Sequence, residues 1–191
     1  MIKRLAGSIR EFKKPTLLTP LLMILEVAME CLIPMIMSKL VDYGINEQNM
    51  QQIFFWGILL VCAAALSLFF GAMAGRTAAV ASCGFARNLR HDMYENIQTF
   101  NFRSIDKFST AGLVTRMTTD VTNVQNAYMM ILRMCTRAPA TMLIAMVLSF
   151  AINGRLASVY LVAVVVLGLL LFLIMSKAMR YFKEVFQKYD D

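Results

Sequence analysis

Four long apolar runs divide this chain. Residues 17–38 read LLTPLLMILEVAMECLIPMIMS and residues 53–75 read IFFWGILLVCAAALSLFFGAMAG. Residues 138–152 read APATMLIAMVLSFAI and residues 156–176 read LASVYLVAVVVLGLLLFLIMS. About 20 helical residues cross a hydrocarbon layer roughly 30 Å thick, so each run is a candidate membrane span. A composition that is 59% hydrophobic, with mean hydropathy +0.61, exceeds what a soluble chain of 191 residues needs for a core. The expected fold class is all-α, a polytopic helical membrane protein with spans at about 17–41, 53–75, 134–152 and 156–176.

The formal net charge of +7 invites a nucleic-acid partner, but its placement follows membrane topology instead. Lys3, Arg4, Arg10, Lys13 and Lys14 precede the first run, and Arg76, Arg87, Arg90, Arg103, Lys107 and Arg116 lie between the second and third. Lys177, Arg180, Lys183 and Lys188 follow the fourth, whereas the two other loops hold little beyond Asp42, Glu47 and Arg155. Cationic loops stay cytoplasmic. Both ends and the long middle segment are therefore expected inside, and 42–52 and 153–155 outside. No nucleic-acid partner is expected. Membrane lipids are.

Cys31, Cys62, Cys83 and Cys135 lie in spans or their extensions without CxxC or Cys/His spacing, and the chain has one His. Neither a metal site nor a disulfide framework is expected. Residues 1–14 form a basic, partly amphipathic stretch, with Ile2, Leu5, Ile9 and Phe12 three to four apart, as an interfacial elbow helix would need. Pro15 and Pro20 stand where that stretch turns into the first span, and Pro34 should bend the span itself.

The polar segment after the second run keeps a helical period through Phe85, Leu89, Met93 and Ile97. The second helix is therefore expected to continue from Ile53 to about Phe100, about 48 residues or roughly 70 Å. A second pattern starts near Leu113 and runs through Met117, Val121, Val124, Tyr128 and Leu132 into the third span. Residues 76–133 thus read as a long cytoplasmic hairpin with its tip at about 101–110. Such reach is superfluous for sealing a bilayer. It makes sense when something at the tip must push or be pushed.

The chain here resembles the transmembrane domain of ATP-binding-cassette (ABC) exporters of the six-helix type, over essentially its whole length. The most specific stretch runs Phe108-Ser109-Thr110-Ala111-Gly112-Leu113-Val114-Thr115-Arg116-Met117-Thr118-Thr119-Asp120-Val121-Thr122-Asn123-Val124-Gln125. It resembles the segment after the family's first coupling helix, with an Arg and an Asp four apart followed by Val. Where many members have glycine five before the Arg, this chain has Ala111, with Gly112 next to it. Asp42-Tyr43-Gly44-Ile45 resembles the usual end of the family's first helix.

The resemblance implies that the tip residues Phe102, Arg103, Ser104, Ile105, Asp106, Lys107 and Phe108 rest on a nucleotide-binding domain. It implies two subunits, identical or different, working by alternating access in a bacterial plasma membrane. ATP and magnesium would belong to the full-length protein, since no G-x-x-x-x-G-K-[ST] stretch occurs here. The chain is expected to hold four of six spans, as a partial gene product, an engineered truncation or a piece of a longer chain. Amphipathic drugs, lipids and peptides all fit as cargo. The rival is a stand-alone four-span protein with a structural or assembly role in a membrane complex.

Several polar residues stand out. Arg116 and Asp120 can pair at i, i+4, either as a solvated surface pair or as a brace between the long helices. Arg133 and Arg137 enter the third span, whose apolar run of about 15 residues is too short to cross alone. They either snorkel to the interface or face a water-filled cavity, with Asn123, Gln125 and Asn126 adding polar lining. Glu26 and Glu30 share one face of the first span, where an ionised carboxylate in hydrocarbon is costly. A cationic cargo and a polar partner inside the protein both answer that cost.

Overall fold

A computed structural model describes residues 7–100 and 109–189, with side chains described for 7–100, 109–155 and 157–179. The described residues are almost entirely helical and contain no strand. After a short 3-10 turn at Arg10–Phe12, helix α1 spans Lys13–Lys39 and passes into a π-helical stretch, Leu40–Ile45. Helix α2 spans Met50–Gln98 and α3 spans Thr110–Thr115. A π-helical turn, Arg116–Asp120, joins α3 to α4, Val121–Ile152, and α5 spans Gly154–Tyr189. Among the described residues four helical stretches are long and apolar enough to cross a membrane: Arg10–Ile45, Met50–Gln98, Thr110–Ile152 and Ala157–Met179.

The chain forms two compact units, Met1–Met142 and Leu143–Asp191. In the first, α1 and α2 run antiparallel in steady register. Near the loop that joins them Gly44 lies against Ile53, and Lys39 Nζ sits 5.2 Å from the centre of the Trp56 ring. Further along, Glu26 meets Gly71, and the hydroxyls of Thr19 and Thr77 lie 2.9 Å apart. At the other end Phe12 meets Gly84, and Asn88 Nδ2 donates to the Ser8 carbonyl at 2.9 Å. Small residues make this closeness available: Ala63, Ser67, Ala74, Ala78, Ala81 and Ser82 are the buried face of α2. Against them α1 buries Thr19, Leu22, Met23 and Val27. Lipid tails are as apolar as leucine, so helices in a membrane associate through such packing and hydrogen bonds, not through hydrophobic exclusion.

Both helix ends facing the short loop at 46–49 are locally specified. Asn49 caps α2, its side-chain oxygen accepting from the backbone N–H of Gln51 at 3.1 Å and Gln52 at 3.4 Å. Any Cβ at Gly44 would come within 2.8 Å of Ile53 Cγ1, so glycine permits the tight return. Pro15 falls in the first turn of α1, where its missing N–H costs nothing. Pro20 and Pro34 lie inside the helix, and Pro34 leaves the Glu30 carbonyl without its ladder donor.

Opposite, at the basic end, residues 8–12 are strapped to the polar part of α2. Asp92 accepts from Ser8 Oγ at 3.0 Å and from Arg10 Nη2 at 2.7 Å. Of the stretch expected as an interfacial elbow, residues 1–6 lie outside the described residues, and residues 8–12 are held by side chains on α2. In the second unit, Asn153 begins α5: its carbonyl accepts from Ala157 N at 3.0 Å, and its side chain accepts from Arg155 N at 3.0 Å. Asn153 separates α4 from α5, within the 153–155 loop expected from the sequence.

Candidate functional site

The middle of α1 carries two carboxylates, and α4 answers them with one guanidinium. Glu26 is the central residue of α1, which places it near mid-membrane if the helix crosses symmetrically. Arg137 Nη1 donates to Glu26 Oε1 at 3.0 Å, and Arg137 Nη2 donates to both oxygens of Glu30 at 2.8 Å. Three side chains thus share two negative charges and one positive. The Glu26 side chain is 13% exposed, against 39% for Glu30 and 42% for Arg137. Glu26 is the more enclosed because it sits in a notch of α2: a Cβ at Gly71 would come within 2.8 Å of its Oε1.

Arg137 therefore lies opposite the centre of α1, not at its basic end, where interfacial snorkelling would put it. Of the two answers to the cost of Glu26 and Glu30, the geometry supplies a polar partner inside the protein. Arg133 stands one helical turn before Arg137. It has no carboxylate within ion-pair distance among the described residues. Both arginines line a cleft of about 500 Å³ with Met23, Asn126, Met129, Met130 and Met134. Methionine's flexible thioether adapts to irregular apolar shapes, so the cleft joins a soft apolar wall to two cations.

Below the cleft, α4 is held to α1 and α2 by long side chains. The hydroxyls of Tyr128 and Thr16 lie 2.9 Å apart, and the Tyr128 ring rests on Phe85 with centroids 4.7 Å apart. Gln125 Nε2 donates to Cys83 Sγ at 3.4 Å, whereas Asn123 lies apart with Arg90, Thr118, Thr119 and Thr122 in a separate polar cleft. Arg116 faces α2, lining a small pocket with Met93, Asn96, Ile97, Phe100 and Leu113. Arg116 and Asp120 bound the π-helical turn. A π-helical turn takes carbonyls out of the i→i+4 ladder. Arg90 Nε, from α2, donates to the Met117 carbonyl at 3.3 Å, and its Nη2 donates to Thr122 Oγ1 at 3.3 Å. This bridge across the hairpin went unseen in the sequence, as did Gly71, Asp92 and Tyr128, because each acts through a residue distant in the chain. Phe102, Arg103, Ser104, Ile105, Asp106, Lys107 and Phe108 lie outside the described residues. No group of three or more metal-ligating side chains occurs among the described residues.

Comparison with known proteins adds an independent line. The profile of the ABC transporter transmembrane region matches residues 16–191. An uncharacterised ABC transporter ATP-binding protein of Bacillus subtilis, YfiB, is 33% identical over 170 residues, covering 89% of this chain and 30% of the relative. The ATP-dependent lipid A-core flippase of Pseudoalteromonas translucida is 22% identical over 185 residues, 97% of this chain and 32% of the relative. An uncharacterised ABC transporter ATP-binding protein of Mycobacterium tuberculosis matches with the same 22% identity and the same coverage. The chain spans about a third of the length of these curated relatives, 30–32%.

Proposed function

The chain belongs to the ABC transporter transmembrane region family, and on that premise we propose that it is membrane-crossing machinery of an ATP-driven exporter. Its cargo is amphipathic, of the class of drugs, lipids or peptides, and it moves by alternating access. The observation that carries this reading is the reach of α2. Its 49 residues extend about 74 Å, more than twice the roughly 30 Å of hydrocarbon. The excess forms one arm of a hairpin whose other arm, α3 to α4, is tied to it by Arg90. A braced lever is useful where force enters at its tip.

On this reading both ends and the tip are cytoplasmic, in a bacterial plasma membrane. The partners are a second ABC subunit, identical or different, and a nucleotide-binding domain seated on residues 102–108. On this reading ATP and magnesium belong to the full-length protein, since the 191 residues hold no phosphate-cradling glycine loop. The relative named as an ATP-dependent lipid A-core flippase supports lipid-like cargo as one member of the class.

The test uses the complete transporter. Changing Phe102 and Phe108 together to Ala should leave nucleotide affinity nearly unchanged while transport, or its stimulation of ATP hydrolysis, is lost. Normal transport by the double variant at normal expression would mean that the tip does not transmit the motion.

A further inference from the structure

The cleft between α1 and α4 presents two guanidinium groups of unequal standing. Arg137 is held on two carboxylates, with its hydrogen bonds to Glu26 and Glu30 at 2.8–3.0 Å. Arg133, four residues away and on the same face, has no carboxylate within reach among the described residues. Yet it shares its cleft with Met23, which lies about 15 Å along α1 from the basic end at Lys13. With Lys13 at the edge of a roughly 30 Å hydrocarbon layer, that depth is inside it, where an arginine facing lipid tails is costly and arginines as a rule face the bundle interior or a water-filled cavity or are paired. Glu26 and Glu30 cannot serve both arginines: Glu30 already gives both oxygens, and Glu26 is wedged between Arg137 and the Gly71 notch.

The remaining lining says what kind of anion fits. Met23, Met129, Met130 and Met134 make most of the wall apolar, and Asn126 adds one polar group. A small hydrated ion gains nothing from four thioethers. We infer that Arg133 docks the negatively charged head of an amphipathic ligand, whose apolar part lies along the methionine wall. The exporter reading above supplies the reason such a ligand enters the cleft, and this inference rests on that reading while naming the class of cargo. A planar guanidinium matches phosphate and carboxylate oxygens two at a time. Arg137, engaged already, positions the carboxylates and keeps them off Arg133.

The experiment uses the complete transporter in nanodiscs of zwitterionic lipid. Fluorescent phosphatidylglycerol and phosphatidylcholine of matched chains serve as probes for direct binding and for ATP-driven movement. The wild type should bind the anionic probe more tightly. Arg133→Gln should weaken anionic binding roughly tenfold or more, the scale of a lost charge-assisted hydrogen bond, and leave the zwitterionic probe unaffected. Arg133→Lys, which keeps charge but loses the planar fork, should fall between. Changing Met129 and Met130 together to Ser should weaken both probes. The melting temperature of each Arg133 variant is read alongside, so that lost folding is told apart from lost anion binding. Equal binding of the two probes by wild type, or an unchanged preference in Arg133→Gln, overturns the inference. So does inorganic phosphate binding as tightly as the lipid. If no amphiphile of any charge moves with ATP, the exporter reading fails instead. Movement without charge preference sinks only the role of Arg133.

Discussion

Removing the Arg137 guanidinium tests whether the cluster of Glu26, Glu30 and Arg137 is a single unit. Arg137→Gln leaves Glu26 enclosed in the Gly71 notch with its 3.0 Å donor gone, and leaves Glu30 without two bonds of 2.8 Å. Stranding one partner of a fully buried ion pair costs ~3–5 kcal/mol. Glu30 and Arg137 are about two-fifths exposed, at 39% and 42%, so their share is screened toward the surface value. Glu26, at 13% exposure, keeps most of its share. Roughly 2–3 kcal/mol should therefore be lost in Arg137→Gln, most of it through Glu26. Glu26→Gln alone should cost about 1 kcal/mol, since the guanidinium still has Glu30. Combining the two should cost less than their sum by about 1.5 kcal/mol, against the ~0.5 kcal/mol scatter of independent sites. The assay is unfolding of the purified full-length protein in mixed micelles of rising denaturing-detergent fraction, followed by helical circular dichroism. Additive losses would refute the shared cluster and leave Glu26 held by something other than Arg137.

Other expectations follow from the same contacts. A Cβ at Gly84 would overlap the Phe12 ring, so Gly84→Ala should destabilise by ~1–3 kcal/mol; adding Phe12→Ala should return much of it, and no rescue would mean that the two do not meet. Asp92→Ala removes the acceptor for Ser8 and Arg10, and hydrogen exchange at residues 8–12 should then speed up while exchange in the α1–α2 core stays unchanged. Single cysteines at Glu47 and Ser104, in a background without native cysteines, should react oppositely with an impermeant maleimide in intact cells. Reaction of both from outside would reverse the expected topology.

Much of this protein was legible in its composition and periodicity. Spans can be read locally because the bilayer is a uniform solvent: twenty apolar residues mean the same thing wherever they occur. Helix α2 was expected from Ile53 to about Phe100 and runs from Met50 to Gln98. The break within 153–155 was likewise readable, because helix capping depends on neighbours in sequence. The exposed cost of Glu26 and Glu30 could be seen in the chain, but its answer could not. That answer is Arg137, more than a hundred residues away, and which of several cations meets a carboxylate is decided by helix register, not by composition. Glycines tell the same story. Gly71 and Gly84 look alike in sequence, yet one is the notch for a carboxylate and the other the seat of an aromatic ring. Only the antiparallel fit of α1 on α2 assigns those places, and only the approach of α4 leaves Arg137 paired and Arg133 open to the cleft.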